Sequence, residues 1–188
     1  WMRGMYLPSP STVGSKIVSI PAALRSLRSR TASATGAVRD FSAGAARIVD
    51  LFSGCGTFSL PLAETATVHA VEGLAAPLSA LDAGWRAAPG LNRVTTENRD
   101  LARRPLLADE LNRFDAIVID PPRAGARDQA TVLAACRVQT IAYVSCNPSS
   151  FARDAKMMVE GGWRINWVQP VGQFRWSTHV ELTAKFSR

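Results

Sequence analysis

No apolar run in these 188 residues approaches the roughly 20 needed to cross a bilayer, which excludes a membrane-spanning helix. Cysteine is scarce. Cys55, Cys136 and Cys146 are odd in number and no two are spaced as CxxC. That excludes a zinc site and a disulfide framework, and predicts a reducing, cytoplasmic setting. No acidic residue precedes Asp40, and no glutamine precedes Gln129. The turn Ser53-Gly54-Cys55-Gly56 lacks the third glycine of a dinucleotide fingerprint, which argues against a pyrophosphate-bearing ligand such as NAD.

What is present fits one domain with a full core: 47% hydrophobic residues against 20% charged. The net charge of +7 invites a nucleic-acid reading, but it is unevenly placed. Residues 1–40 carry six basic side chains against Asp40 alone, whereas 41–188 hold sixteen basic and fourteen acidic groups. Any RNA grip in the body must therefore come from local patches. Residues 1–40 are rich in Arg, Ser, Ala and Pro. Ile20, Leu24 and Leu27 recur at helical spacing, which predicts a short amphipathic helix from about Ser19 to Arg30. Three readings of this segment stay open: a disordered or extraneous tail, since Trp1 stands before Met2; an RNA-contacting helix; or an organelle transit peptide.

From residue 41 a single domain is expected. Apolar runs predict strands at 47–52, 67–72, 93–98, 114–120, 140–145, 163–168 and 180–186. Helical patterns occupy 74–87, 126–137 and 149–160, the last stopped by Gly161-Gly162. Alternating strands and helices give a doubly wound, seven-stranded, mostly parallel α/β sheet. The last two strands lack a helix between them and must pair as a hairpin, so one runs antiparallel.

Chemistry-bearing residues gather at the strand ends. Asp50-Leu51-Phe52-Ser53-Gly54-Cys55-Gly56-Thr57 ends a strand and opens a helix, where Gly54 and Gly56 let backbone approach a ligand. Glu72, 22 positions after Asp50, is placed to accept ribose hydroxyls, and Asp100 an exocyclic purine amine. Ribose, adenine and a zwitterionic tail without pyrophosphate describe S-adenosylmethionine. Asp120-Pro121-Pro122-Arg123 follows the most apolar strand, and its prolines hold Asp120 in the cleft. Methyltransferases acting on exocyclic amines use a similar motif with an aromatic where this chain has Arg123. Tyr143-Val144-Ser145-Cys146-Asn147-Pro148 puts a thiol between a strand and a helix N-terminus, which favours the thiolate. On its own, that cysteine reads equally as the buried end of a core strand.

Together, 50–62 (DLFSGCGTFSLPL), 120–124 (DPPRA), 145–154 (SCNPSSFARD) and 179–181 (HVE) resemble the RNA uracil-5 methyltransferases, which make 5-methyluridine in transfer and large-subunit ribosomal RNA. The resemblance covers about residues 45–188, the family's catalytic domain, and implies a class I S-adenosylmethionine-dependent methyltransferase fold. It implies that Cys146 adds to C6 of uracil and that Glu181 is the general base removing the C5 proton. Phe52, Thr57, Glu72, Asp100 and Asp120 match cofactor-contacting positions. The expected substrate is a single-stranded or loop uridine. Phe174 and Trp176 are candidates to stack on the base, and Arg123, Arg153 and Arg175 to hold phosphates. His179 is expected to support Glu181, and His69 to be a strand residue without a role. The family's N-terminal β-barrel, further domain, iron–sulfur cysteines and upstream glutamine segment have no counterpart, so the chain is expected to be a catalytic domain, with oligomeric state unread. Two rivals remain: an amino-methyltransferase using Asp120-Pro121-Pro122, and a domain that binds cofactor or RNA without turnover.

Overall fold

The computed structural model describes residues 34–171 and 181–188. Seven strands form one sheet: β1 (Arg47–Leu51), β2 (Thr67–Glu72), β3 (Val94–Asn98), β4 (Ala116–Ile119), β5 (Thr140–Ser145), β6 (Arg164–Val171) and β7 (Glu181–Ser187). Their order is β3-β2-β1-β4-β5-β7-β6. The first five strands are parallel, and β7 runs antiparallel to both β5 and β6. The expected mixed sheet and terminal hairpin are both present. The order reverses between β1 and β4, the topological switch point at which doubly wound sheets open a crevice.

The helices are α1 (Ala34–Phe41), α2 (Ser59–Leu62), α3 (Ala75–Ala87), α4 (Ala108–Leu111), α5 (Arg127–Ala135) and α6 (Pro148–Glu160). Strand alternation sends side chains to two cores. On one face Leu51, Ile117, Ile119, Ile141 and Phe186 pack against Leu133 of α5 and Met158 of α6. On the other Ile48, Ala70, Val118 and Val144 pack against Val38 of α1, Leu62 of α2 and Leu81 of α3. Each fully buried aliphatic side chain contributes about 1.5–3 kcal/mol.

Two helices were not expected. In α1, Ala34, Ala37 and Val38 are buried and Phe41 is half-buried, a stripe at i, i+3, i+4 and i+7. The helix straddles the boundary expected between residues 40 and 41, so its buried face belongs to the folded body. Helix α4 is one turn, held by Leu107 N–H donating to Glu110 Oε2 at 2.7 Å. The helix expected at 19–30 lies outside the described residues. Arg188 ends the chain by donating to the carbonyls of Cys136 and Gly161, both at 2.7 Å, with its guanidinium 4.7 Å from the Trp163 ring. It thereby caps the C-termini of α5 and α6 together.

Candidate active site

Five neighbouring strands each end in one chemically active residue on the same sheet face. The alternation that buries Ala70, Ile48, Val118 and Val144 in one core puts Glu72, Asp50, Asp120 and Cys146 next in those rows. On β7, Leu182, Ala184 and Phe186 belong to the opposite core, which leaves Glu181 for this face. Ser145 pairs with Leu182, so Cys146 and Glu181 occupy the next positions outward across an antiparallel pair. The structure thus brings Cys146, Glu181 and Asp120 to one edge. The Cys146 thiol is exposed there, and is not the buried strand end that the bare motif also allowed.

The glycine turn is built on Glu72. Its Oε2 accepts from Gly54 N–H at 3.1 Å and its Oε1 from Leu74 N–H at 3.0 Å, joining the ends of β1 and β2. Phe52 has φ +61 and Gly56 φ +96. A Cβ on Gly56 would stand 3.0 Å from Leu81 Cγ and 3.2 Å from Leu60 Cγ, so only glycine lets the turn lie this close to α3. Thr57 is exposed beyond it. Asp100 is exposed after β3, with Oδ1 accepting from Ala102 N–H at 3.0 Å. A cleft of about 260 Å³ is lined by Phe52, Leu101, Ala102, Pro122, Ala124 and Gly125, and also by Arg127, Asp128, Gln129 and Arg153.

Asp50 departs from its expected place. It is fully buried, with Oδ2 accepting from Ser59 Oγ at 2.6 Å and Oδ1 without a hydrogen-bond partner. It lies beneath the glycine turn, anchoring the first turn of α2, rather than in reach of a ligand. Burial pushes its carboxyl up to about 7, with Asp120 and Glu72 adding to the rise and the Ser59 bond opposing it. Burial also pushes Asp120 up to about 6, helped by the charge of Glu181.

Both carboxyls keep their protons in the folded chain at pH values where the unfolded chain, with Asp near 3.9, has lost them. Their favourable contribution is complete below about pH 4 and is lost as pH rises through about 6 and 7. Stability is therefore expected to fall between about pH 4.5 and 7.5, each tenfold gain in proton affinity on folding being worth at most about 1.4 kcal/mol. Urea midpoints at the two pH values check this, and Asp50→Asn should flatten the slope.

The turn around Cys146 is tightly bonded. Asn147 caps α6, its side chain accepting from Ser149 N–H at 3.0 Å while its Nδ2 donates to the Arg123 carbonyl at 3.0 Å. Ser145 Oγ accepts from Asn147 N–H at 3.1 Å. Arg153 is not free for phosphates. Its Nε and Nη2 donate to Asp154 Oδ1 at 2.8 and 2.7 Å, and Nη2 also donates to the Ala124 carbonyl at 3.0 Å. Asp154, which the sequence singled out only as part of a motif, is fully buried and accepts from Tyr143 OH and from Ala126 N–H, both at 2.7 Å. Burial and that bond push the Tyr143 hydroxyl well above its ordinary range. Arg123 is exposed. His69 bonds to Thr95 Oγ1 at 2.8 Å and Glu97 Oε2 at 3.1 Å, within the β2–β3 pairing. Phe174, Arg175, Trp176 and His179 lie outside the described residues.

A family model described as tRNA (uracil-5-)-methyltransferase matches residues 36–188. The chain belongs to this family. An uncharacterized RNA methyltransferase of Mesorhizobium japonicum is 56% identical over 140 residues, covering 74% of this chain and 34% of the relative. The 23S rRNA (uracil(1939)-C(5))-methyltransferase RlmD of Psychrobacter arcticus is 40% identical over 155 residues, covering 79% of this chain and 30% of its own. An uncharacterized RNA methyltransferase of Zymomonas mobilis is 44% identical over 179 residues, covering 94% of this chain and 45% of its own. That last match extends into residues 1–33, where the motifs alone gave no resemblance. Among solved structures, the tRNA (uracil-54, C5)-methyltransferase of Pyrococcus abyssi, in complex with S-adenosyl-L-homocysteine, has a TM-score of 0.71 at 29% identity. It covers 81% of this chain and 36% of that one. The fold is that of the class I methyltransferases. The chain spans about a third of the length of several curated relatives that it matches.

Proposed function

We propose that this chain carries the catalytic centre of an S-adenosylmethionine-dependent RNA uracil-C5 methyltransferase, acting on a single-stranded or loop uridine of ribosomal or transfer RNA in the cytoplasm. The observation that carries this reading is the juxtaposition of an exposed thiol, Cys146, with Glu181 across β5 and β7 and with Asp120 on β4.

The cofactor suits the residues present. The cleft lined by Phe52, Leu101 and Pro122 offers apolar surface for a purine, Asp100 precedes Leu101 in the chain, and the Gly54–Glu72 bond joins the ends of β1 and β2. Glu72 and Asp100 are assigned to the ribose and adenine, and Gly54, Gly56 and Thr57 to the amino-acid end. Asp50 acts from beneath, by fixing the turn through Ser59. When bound, S-adenosylmethionine supplies an electrophilic methyl on a sulfonium. A positive centre near Asp120 would favour its carboxylate and offset the burial that raises it.

Uracil C5 is too weak a nucleophile to take that methyl unaided. The Cys146 thiolate adds to C6, and the electron pair of the 5,6 double bond moves onto C5 and O4 as an enolate. C5 then takes the methyl, the electron pair of the broken S–CH₃ bond staying on the sulfur as a neutral thioether, and carries both methyl and hydrogen. Glu181 removes that proton as general base, the 5,6 double bond re-forms, and the C6–S bond breaks to return the thiolate. A base buried in a duplex cannot reach Cys146, so the uridine must be unstacked.

The test is release of tritium from RNA carrying [5-³H]uridine, in the presence of S-adenosylmethionine. Uracil-C5 methylation releases one tritium per methyl transferred. Methyl incorporation without tritium release would assign the chain to the amino-methyltransferase chemistry of Asp120-Pro121-Pro122 instead.

A further inference from the structure

We infer that Asn147, Arg153 and Asp154 are positioning residues that lace the 120–126 loop to the helix behind Cys146, setting the distance between the thiol and Asp120. This rests on the reading of Cys146 as the nucleophile.

The loop leaves β4 and returns to α5 with little support of its own, its internal bond being Gly125 N–H to the Pro122 carbonyl at 2.7 Å. Its first residue is held from β1, Asp120 N–H donating to the Leu51 carbonyl at 3.2 Å, and the ties on the rest come from α6. Asn147 Nδ2 holds the Arg123 carbonyl at 3.0 Å, Arg153 Nη2 holds the Ala124 carbonyl at 3.0 Å, and Asp154 Oδ2 holds the Ala126 N–H at 2.7 Å. The three ties run in step along the loop and come from the cap and second turn of one helix. Gly125 lies under them with φ +82. A Cβ there would stand 2.5 Å from Arg153 Nη2 and 2.6 Å from Asp154 Oδ2, so the loop backbone rests directly on the ion pair.

The same carboxylate reaches the third element that bears on the thiol. Tyr143 OH donates to Asp154 Oδ2 at 2.7 Å from β5, three residues before Cys146. Strand, helix and loop are thus tied at one buried point, and Asn147 repeats the tie beside the nucleophile itself. A shift of about 1 Å between reacting groups can cost on the order of 100-fold in rate.

Asn147 allows the tie to be separated from the fold, because its two ends do different work. Serine at 147 keeps an oxygen for capping Ser149 N–H, lacks the amide that holds Arg123, and adds no charge near the thiol. The experiment uses the whole chain with S-adenosylmethionine and RNA carrying 5-fluorouridine, under single-turnover conditions. Asn147→Ser is expected to form the protein–RNA adduct roughly 10- to 100-fold more slowly than wild type. Its urea midpoint and cofactor dissociation constant should stay close to wild type, and the slowing should be of the same size across the pH range. Asn147→Asp, which also caps, should be slowed at least as much. Adduct formation by Asn147→Ser at the wild-type rate overturns the inference alone, as does a slowing matched by equal loss of cofactor binding or of fold. A wild-type chain that turns over but forms no adduct overturns the nucleophile reading, and the inference with it.

Discussion

Cys146→Ala is expected to fold and bind cofactor as the wild-type chain does, while losing uracil methylation by about 10⁴-fold or more, as removal of other enzymic nucleophiles does. The two effects separate because of where the residue lies. Its thiol is exposed at the edge of the sheet and belongs to neither core. Removing it should therefore change stability by no more than about 0.5 kcal/mol. Its loss matters only to the step in which C5 becomes nucleophilic, and no neighbouring group can replace a covalent bond to C6. Glu181→Gln should fail later in the same sequence. Addition and methyl transfer proceed, proton removal stalls, and the methylated adduct accumulates where wild type shows none. Denaturing gel analysis of enzyme with labelled RNA reads both outcomes. An amino-methyltransferase working through Asp120-Pro121-Pro122 would keep its activity in Cys146→Ala.

Asp154→Ala is expected to cost roughly 3–5 kcal/mol, a large share of the 5–15 kcal/mol that holds a domain of this size together. The carboxylate is fully buried and satisfies Tyr143, Ala126 and Arg153 at once. Truncation leaves a buried hydroxyl and a buried N–H without an acceptor, each costing about 1–3 kcal/mol, and opens a space under Gly125. Tyr143→Phe removes one of these bonds and keeps the ring packed on Phe151 and Phe186, so it should cost only about 1 kcal/mol. Urea midpoints of the two variants measure the difference. A chain in which Asp154→Ala costs no more than Tyr143→Phe would show that the buried carboxylate is not a shared anchor.

Most of the sheet was legible because its strands are short apolar runs closed by turn residues, as at 116–119 and 140–145. Helix α1 escaped since eight residues interrupted by Gly36 carry too little pattern, although Ala34, Ala37, Val38 and Phe41 do fall on one stripe. At the site, the sequence marked acids at strand ends but could not rank their burial. Asp50 and Glu72 look alike in the chain, yet β1 is central and covered by α2, so Asp50 is sealed while Glu72 stays half-buried. Arg153 read as a phosphate contact because a basic side chain on a helix carries no sign of its partner. Its anchors, the Ala124 carbonyl and a buried neighbour, exist only once the 120–126 loop folds back on α6. Asp154 was opaque for the same reason, its bonds reaching 11 and 28 residues away.

The covalent step at Cys146 is tested most directly with RNA carrying 5-fluorouridine. Fluorine at C5 cannot be removed as a proton, so a chain that adds Cys146 to C6 and transfers methyl is trapped before elimination. With S-adenosylmethionine present, the expected result is a protein–RNA adduct that survives denaturation, maps to the peptide containing Cys146, and is absent from Cys146→Ala. An adduct formed equally by Cys146→Ala, or one that maps to another residue, would contradict the account.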